Sequence, residues 1–187
     1  MNVRVEVVCV NADGGEHRRR VLTIERPELA IETLNRSLTE GKSLLAGVQD
    51  FVVAQQVGED LERRWVCPHC GKPHTSKDSG NTPMKTLFGL INVPNPRWNR
   101  CACRTDGPKT FRPTRTWLNG QTSPEMLYLE TKWASLIPFV RTADLLKEVL
   151  PVGESVNPET VRNHLQLTAG ENRMNKLSES EIDRPAH

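Results

Sequence analysis

Four of the five cysteines in this 187-residue chain occur as two close pairs, an arrangement suited to binding a metal ion. Cys67 and Cys70 form a Cys-x-x-Cys motif, and Cys101 and Cys103 follow after 30 intervening residues. Each short loop brings two sulfurs within about 4 Å of each other, as a tetrahedral site with Zn–S distances of about 2.3 Å requires. The spacing therefore predicts a structural zinc site at the centre of a zinc ribbon, with folding free energy supplied by the metal.

Other uses of these thiols remain open from the sequence. A disulfide is disfavoured because the chain has no secretory signal, and a redox Cys-x-x-Cys requires a surrounding βαβ pattern that the sequence lacks. Unrelated cysteines are a further alternative. The Cys101–Cys103 spacing is shorter than that of the usual knuckle, so His69 or His74 is an alternative ligand.

The charge of the chain is concentrated around these cysteines. Residues 63–117 contain 11 Lys and Arg against two Asp, whereas residues 1–62 and 118–187 are each slightly acidic, and the whole chain has a net charge of +2. Such a block indicates a surface for a polyanion, with nucleic acid as the leading partner. Part of the charge would offset the two negative charges of a tetrathiolate zinc, and the cations closest to the cysteines in sequence are Arg63, Arg64, Lys72, Arg100 and Arg104.

The same block also contains five of the nine aromatic residues, and cations interleaved with rings are typical of nucleic-acid surfaces. For Phe88 and Trp98 we favour packing inside the metal module. The predicted phosphate contacts are Lys85, Arg97, Arg100, Lys109, Arg112 and Arg115.

The elements that position these residues follow from periodicity. Strands over 3–10 and 21–24 form a hairpin through Asp13-Gly14-Gly15, and Cys9 faces the same side as the valines at 3, 5 and 7. For Arg18–Arg20 we favour an edge-strand charge run, with a binding site as the alternative. Helices are predicted over 28–40 and 43–63. Between the cysteine pairs we expect a strand over 86–93, a turn at Pro94 and Pro96, and a return past Trp98.

Three helices are predicted in the C-terminal part. The first is capped by Ser123 and ends at Pro138, the second is capped by Thr142, and the third follows Asn157. On the third helix, side chains of base-reading type share one polar face: Arg162, Asn163 and Gln166. An ordinary solvated face is the alternative, and the connection over 151–156 is longer than the tight turn of a standard helix-turn-helix.

The predicted fold class is thus α+β: an N-terminal β-hairpin with helices over 1–63, a basic zinc-ribbon module over 64–120, and a helix-turn-helix-like three-helix unit over 121–169. Residues 170–187 are expected to form a disordered polar tail. No apolar run approaches the length of a membrane span, so we expect a cytoplasmic protein without a membrane partner.

Several motifs, in this order, resemble a known family. The chain is similar to the N-terminal region of the ISKra-type insertion-sequence transposases of bacteria over about residues 1–168, on the segments Cys67–Gly71, Lys85–Gly89, Cys101–Cys103, Ser123–Glu130, Glu148–Gly153 and Thr160–His164.

The resemblance implies a DNA-recognition region that binds the terminal inverted repeats of the element. In that family an RNase-H-like domain with three metal-binding carboxylates follows and cuts the DNA. We find no counterpart of it in this sequence, so we expect recognition without autonomous strand transfer, either as a truncated fragment or beside a separate catalytic polypeptide. The alternative is a zinc-ribbon interaction module that joins or represses full-length transposase subunits, with the Trp133 helix face as the interface.

Overall fold

The computed structural model describes residues 1–104, 107–118 and 120–182, and it has an α+β architecture. Two strands lead into two helices, five short strands follow, and three helices complete the described part. No helix among the described residues combines the length and apolar content needed to cross a bilayer.

The N-terminal hairpin agrees with the strand alternation of its sequence. Strand β1 (Asn2–Val10) pairs antiparallel with β2 (Glu16–Glu25), with Val3 opposite Ile24. Cys9 is half-buried on the same face as the valines at 3, 5 and 7, as predicted. Helix α2 (Leu38–Arg64) crosses this hairpin so closely that a Cβ on Gly47 would lie 3.1 Å from that of Val21. Gly47 therefore permits the helix to pack on the sheet.

The predicted helix over 28–40 is wrong in its extent. Only one turn forms, α1 (Ile31–Leu34), and α2 begins at Leu38. Ser37 and Glu40 form a capping box, in which the Glu40 N–H donates to Ser37 Oγ at 3.1 Å and the Ser37 N–H donates to Glu40 Oε2 at 3.0 Å. This reciprocal cap starts a new helix at the Ser-x-x-Glu signature, which the periodicity alone did not reveal.

The central block contains two small sheets. Strands β4 (Asn81–Thr86) and β5 (Gly89–Pro94) form a hairpin, so the strand predicted over 86–93 is interrupted by a turn at Leu87 and Phe88. Gly89 closes that turn at φ +118°, a backbone conformation that favours glycine. Strands β3 (Ser76–Asp78), β6 (Arg97–Asn99) and β7 (Thr110–Phe111) form a three-stranded sheet in the order β3-β6-β7.

The core of the first half crosses the boundary predicted at residue 63. Val57 of α2 packs with Ile91 and Val93 of β5 in one buried cluster. The hairpin is also joined to the C-terminal part, because the Lys85 N–H donates to Gln121 O and the Ser123 N–H donates to Lys85 O at 2.8 Å. The segments predicted as separate domains therefore share packing surfaces.

Three helices form a second core. Helices α3 (Pro124–Ala134), α4 (Phe139–Val149) and α5 (Pro158–Ile182) surround a cluster made of Met126, Ala143, Leu146, Val152, Val156 and Val161. The predicted caps form: Ser123 Oγ accepts from the Met126 N–H at 3.3 Å, and Asn157 Oδ1 accepts from the Thr160 N–H at 2.8 Å.

Three details of these helices differ from the sequence prediction. Helix α4 begins directly after Pro138, and Thr142 is buried within it instead of capping it. Leu136, Leu145 and Val149 recur with the helical period of the buried residues, but they are exposed. Helix α5 continues to Ile182, past the boundary set at 169, while residues 183–187 of the predicted tail lie outside the described part.

Candidate metal centre and basic surface

The first cysteine pair lies in a tight loop between Val66 and Pro73, which form an isolated antiparallel bridge. The Cys67 N–H donates to Lys72 O, and the Gly71 N–H donates to Cys67 O, both at 2.9 Å. Gly71 has φ +68°, in the left-handed region that reverses the chain after Cys70. These bonds turn backbone N–H groups toward the sulfur of Cys67.

The second pair follows strand β6 and precedes β7. Asn99 at the end of β6 donates its N–H to Thr75 O at 2.8 Å, and the Arg100 N–H donates to Lys109 O at 2.9 Å. The Arg104 N–H closes the loop on Cys101 O at 3.1 Å. Because the His74 N–H also bonds to Trp65 O at 2.8 Å, the two loops are held at one end of the three-stranded sheet.

The structure brings together the four predicted cysteine ligands, whose sulfurs all lie within 4.8 Å of one another. Cys67 Sγ is 3.6 Å from Cys103 Sγ, and Cys70 Sγ is 3.1 Å from Cys101 Sγ. A tetrahedron with metal–sulfur bonds of about 2.3 Å has sulfur–sulfur edges of about 3.8 Å. Each close contact joins one cysteine of the first loop to one of the second, so a single ion can be held by all four.

The electrostatics of the cluster favour a bound cation. The backbone N–H groups of His69 and Cys70 lower the pKa of the Cys67 thiol to about 7. The N–H of Cys103 lowers the pKa of Cys101, whereas contact with the Cys101 sulfur raises the pKa of Cys103 to about 12. Four adjacent sulfurs therefore do not all ionise by themselves at neutral pH, and a divalent cation would stabilise all four thiolates.

His74 does not lie in the sulfur cluster. Its Nδ1 is 3.1 Å from Asn99 O, and its ring stacks on Trp98 and meets Phe111 edge-on. Trp65 packs edge-on against Trp98 with ring centroids 5.0 Å apart. Trp98 is buried, in agreement with the prediction that it packs the metal module. The module is thus built on an aromatic cluster and the four cysteines.

Most of the predicted phosphate contacts lie on or beside the three-stranded sheet β3-β6-β7. Lys109 and Arg115 are exposed, whereas Arg97 and Arg112 are partly buried and both face Asp78, at 3.5 and 4.0 Å. Arg112 also donates to Asn95 O. Lys85 belongs to the other hairpin, where its backbone bonds to residues 121 and 123. Lys109 and Arg115 are consequently the most accessible members of the predicted set.

Five arginines converge on one cavity of about 430 Å³ beside the cysteines, namely Arg63, Arg64, Arg100, Arg104 and Arg112. The sequence predicts charge compensation for Arg63, Arg64, Arg100 and Arg104 and phosphate contacts for Arg100 and Arg112, but it does not predict that all five meet at one cavity. Their convergence depends on how the end of α2 packs against the two cysteine loops, which is a tertiary contact.

The predicted base-reading side chains lie on an exposed face of α5. Arg162, Asn163 and Gln166 point away from buried Val161, and Arg162 forms an ion pair with Glu159 at 3.5 Å. The exposure is compatible both with DNA reading and with a solvated face.

The helical unit contains one buried polar contact that the sequence analysis did not predict. Glu130 of α3 is fully buried, and its Oε2 is hydrogen-bonded to His164 Nδ1 of α5. Within the part that the structure describes, its Oε1 has no hydrogen-bond partner. The signal was present, because Glu130 follows Met126 by four residues on the apolar stripe of α3.

Comparisons with protein-family models, with curated proteins and with solved structures found no match to this chain.

Proposed function

We propose that the four cysteines bind a structural Zn²⁺ and that the protein is a DNA-binding recognition module. The observation that carries the proposal is the convergence of four thiols within 4.8 Å beside a cavity lined by five arginines. Four sulfur ligands in a closed arrangement are typical of structural zinc, and two cysteine loops beside a small antiparallel sheet suit a zinc ribbon.

The proposed partner is double-stranded DNA. Its support is the block over 63–117, with 11 basic and two acidic residues, and the exposure of Lys109 and Arg115 on the same module. The three helices form the proposed helix-turn-helix-like unit, in which Arg162, Asn163 and Gln166 of α5 read base edges. In line with the resemblance to ISKra-type transposases, the proposed role is recognition of element ends during transposition, with strand cutting left to an RNase-H-like domain.

Paired variants test this assignment. Arg162→Ala should weaken binding to inverted-repeat DNA by about 1–3 kcal/mol with little effect on random duplex, whereas Lys109→Ala should weaken both equally. Binding should also fall steeply with salt, because each phosphate contact releases counterions. If both variants lose equal affinity for both DNAs, α5 does not read base edges. If the protein binds no duplex at low salt, the proposed function is refuted.

A second candidate is a protein-interaction or repressor role on a full-length transposase. Trp133, the predicted interface residue, packs partly buried against the helical core, but Leu136, Val140 and Leu145 nearby are exposed apolar residues. An interaction module predicts weak DNA binding at any salt and co-purification with the transposase. The salt titration therefore separates the two candidates.

A further inference from the structure

The cavity beside the cysteine cluster has the volume of a small-ligand site. It lies between the end of α2, the two cysteine loops and the segment 111–116, and its volume is about 430 Å³. Ligand sites for small molecules occupy roughly 300–1,000 Å³. An isolated phosphate would leave most of this space empty, so the volume favours a larger anion.

Among the residues that the structure describes, the positive charges at the cavity outnumber the negative ones. Asp60 pairs with Arg63 at 3.3 Å and with Arg64 at 2.8 Å, and a tetrathiolate zinc would contribute two negative charges. Asp78 faces Arg112 but is shared with Arg97. None of the lining residues in the described part is acidic, so five guanidinium groups exceed the negative charge beside them. Guanidinium groups bind phosphate oxygens in bidentate geometry.

Apolar residues also line the cavity. Phe111 lines the cavity together with Pro68 and Pro113. The ring of Phe111 is fixed by edge-on contacts with His74 and Trp98, at centroid distances of 5.0 and 6.0 Å. A cavity lined by both apolar residues and arginines suits a nucleobase attached to a phosphate, because rings and prolines can pack on the base while the cations bind the phosphate.

We propose that this cavity binds one unpaired nucleotide, with its phosphate on the arginines and its base against Phe111 and the prolines. A base paired within a duplex cannot enter, whereas a base at a bulge, a strand end or a flipped position can. The inference rests on the proposed function for the source of the nucleotide, which is then a DNA strand. A free nucleotide carries the same chemistry and is distinguished by the test below.

The experiment compares a fully paired duplex with the same duplex carrying one unpaired nucleotide, labelled there with 2-aminopurine, on the zinc-loaded chain. We expect about tenfold tighter binding of the bulged duplex and a change in 2-aminopurine fluorescence as the base packs on Phe111. Arg104→Gln, an exposed residue of the cavity, should abolish the preference. Lys109→Gln, which lies outside the cavity lining, should weaken both duplexes equally and keep the preference.

Zinc content is measured on each variant, because Arg104 follows a cysteine ligand. If Arg104→Gln loses zinc, Arg63→Gln at the end of α2 replaces it, since that side chain also lines the cavity and is 74% exposed. A preference that survives in the cavity variant that retains zinc overturns the inference.

The outcomes separate the inference from the function. Equal binding of the two duplexes with a steep salt dependence overturns the nucleotide site and leaves DNA binding intact. Binding of a nucleoside monophosphate without any duplex binding supports the cavity and refutes the DNA function. Absence of binding to all probes refutes both.

Discussion

At the residue scale, the four cysteines differ in their surroundings although they form one cluster. Cys67 is buried and accepts N–H groups of its own loop, whereas Cys103 is exposed and has its pKa raised to about 12 by the neighbouring Cys101 sulfur. Cys9 lies apart from the cluster on the hairpin. The chain therefore contains its own control cysteine.

Replacing one cluster cysteine should abolish tight metal binding. Cys70→Ser removes one of four ligands, and we expect zinc affinity to fall by more than about 100-fold, because even residues that only orient a ligand contribute 10–100-fold. Cys9→Ser should retain one zinc per chain. Elemental analysis and competition with a chromogenic chelator measure both, and full zinc retention by Cys70→Ser would contradict a four-cysteine site.

At the element scale, the helical unit is joined by a polar contact inside its core. The buried Glu130–His164 bond connects α3 to α5, the helix with the proposed base-reading face. A carboxyl group without solvent depends on its partner, since removing one member of a buried pair leaves the other uncompensated.

His164→Ala should therefore destabilise the protein by about 1–3 kcal/mol, the cost of leaving a buried polar group without its hydrogen-bond partner. Glu125→Gln, an exposed change on the same helix α3, should stay within about 0.5 kcal/mol of the unchanged protein. Urea denaturation followed by circular dichroism measures both. A loss below about 1 kcal/mol for His164→Ala would show that the pair does not hold the helices together.

The start of α2 is tied to the end of the hairpin by an ion pair that titrates in acid. Arg26 Nη1 and Nη2 each lie 2.7 Å from a carboxylate oxygen of Glu40, and these hydrogen bonds lower the pKa of Glu40 from 4.5 to about 2. Because the folded pKa is depressed, the contribution to stability is complete above pH 4.5 and is lost as the pH falls to about 2.

Glu40→Gln keeps a side chain able to complete the capping box but removes the charge. We expect its free energy of unfolding to lie below that of the unchanged protein at neutral pH, with the difference disappearing near pH 2. Glu59→Gln, an exposed change on the same helix, should show no such convergence. A constant difference across this range would exclude the Arg26–Glu40 pair as its cause.

At the scale of the whole molecule, the aromatic cluster and the three-helix core differ in their relation to the cysteine cluster. The aromatic cluster of Trp65, His74, Trp98 and Phe111 belongs to the sheet that carries both cysteine loops. The core of α3, α4 and α5 is a separate apolar cluster. Among the described residues, it includes none of the four cysteines. Metal removal should therefore affect the two parts unequally.

Chelation should lower duplex affinity at least about tenfold and change tryptophan fluorescence, while most of the helical circular dichroism remains. The physical reason is that the metal supplies folding free energy to the small central module, whereas the helical core is stabilised by apolar burial. Adding back Zn²⁺ should restore both signals. Unchanged fluorescence and affinity after verified metal removal would disprove the zinc-organised surface.

The sequence by itself determined the local features of this protein. The cysteine spacing identified the four members of the cluster, strand alternation located the N-terminal hairpin, and Ser123 and Asn157 marked two helix starts, because caps, turns and close ligand pairs are encoded within a few residues. The helix predicted over 28–40 was wrong in its extent because the Ser37–Glu40 capping box, which is also a local signal, starts a new helix at Leu38.

Tertiary structure alone decided which distant residues meet. The pairing of Cys67 with Cys103 and of Cys70 with Cys101, the burial of Glu130 against His164, and the convergence of arginines from α2 and the second cysteine loop all join residues more than 30 positions apart. Such contacts depend on how helices and sheets pack across the chain, and periodicity within one segment carries no information about that packing.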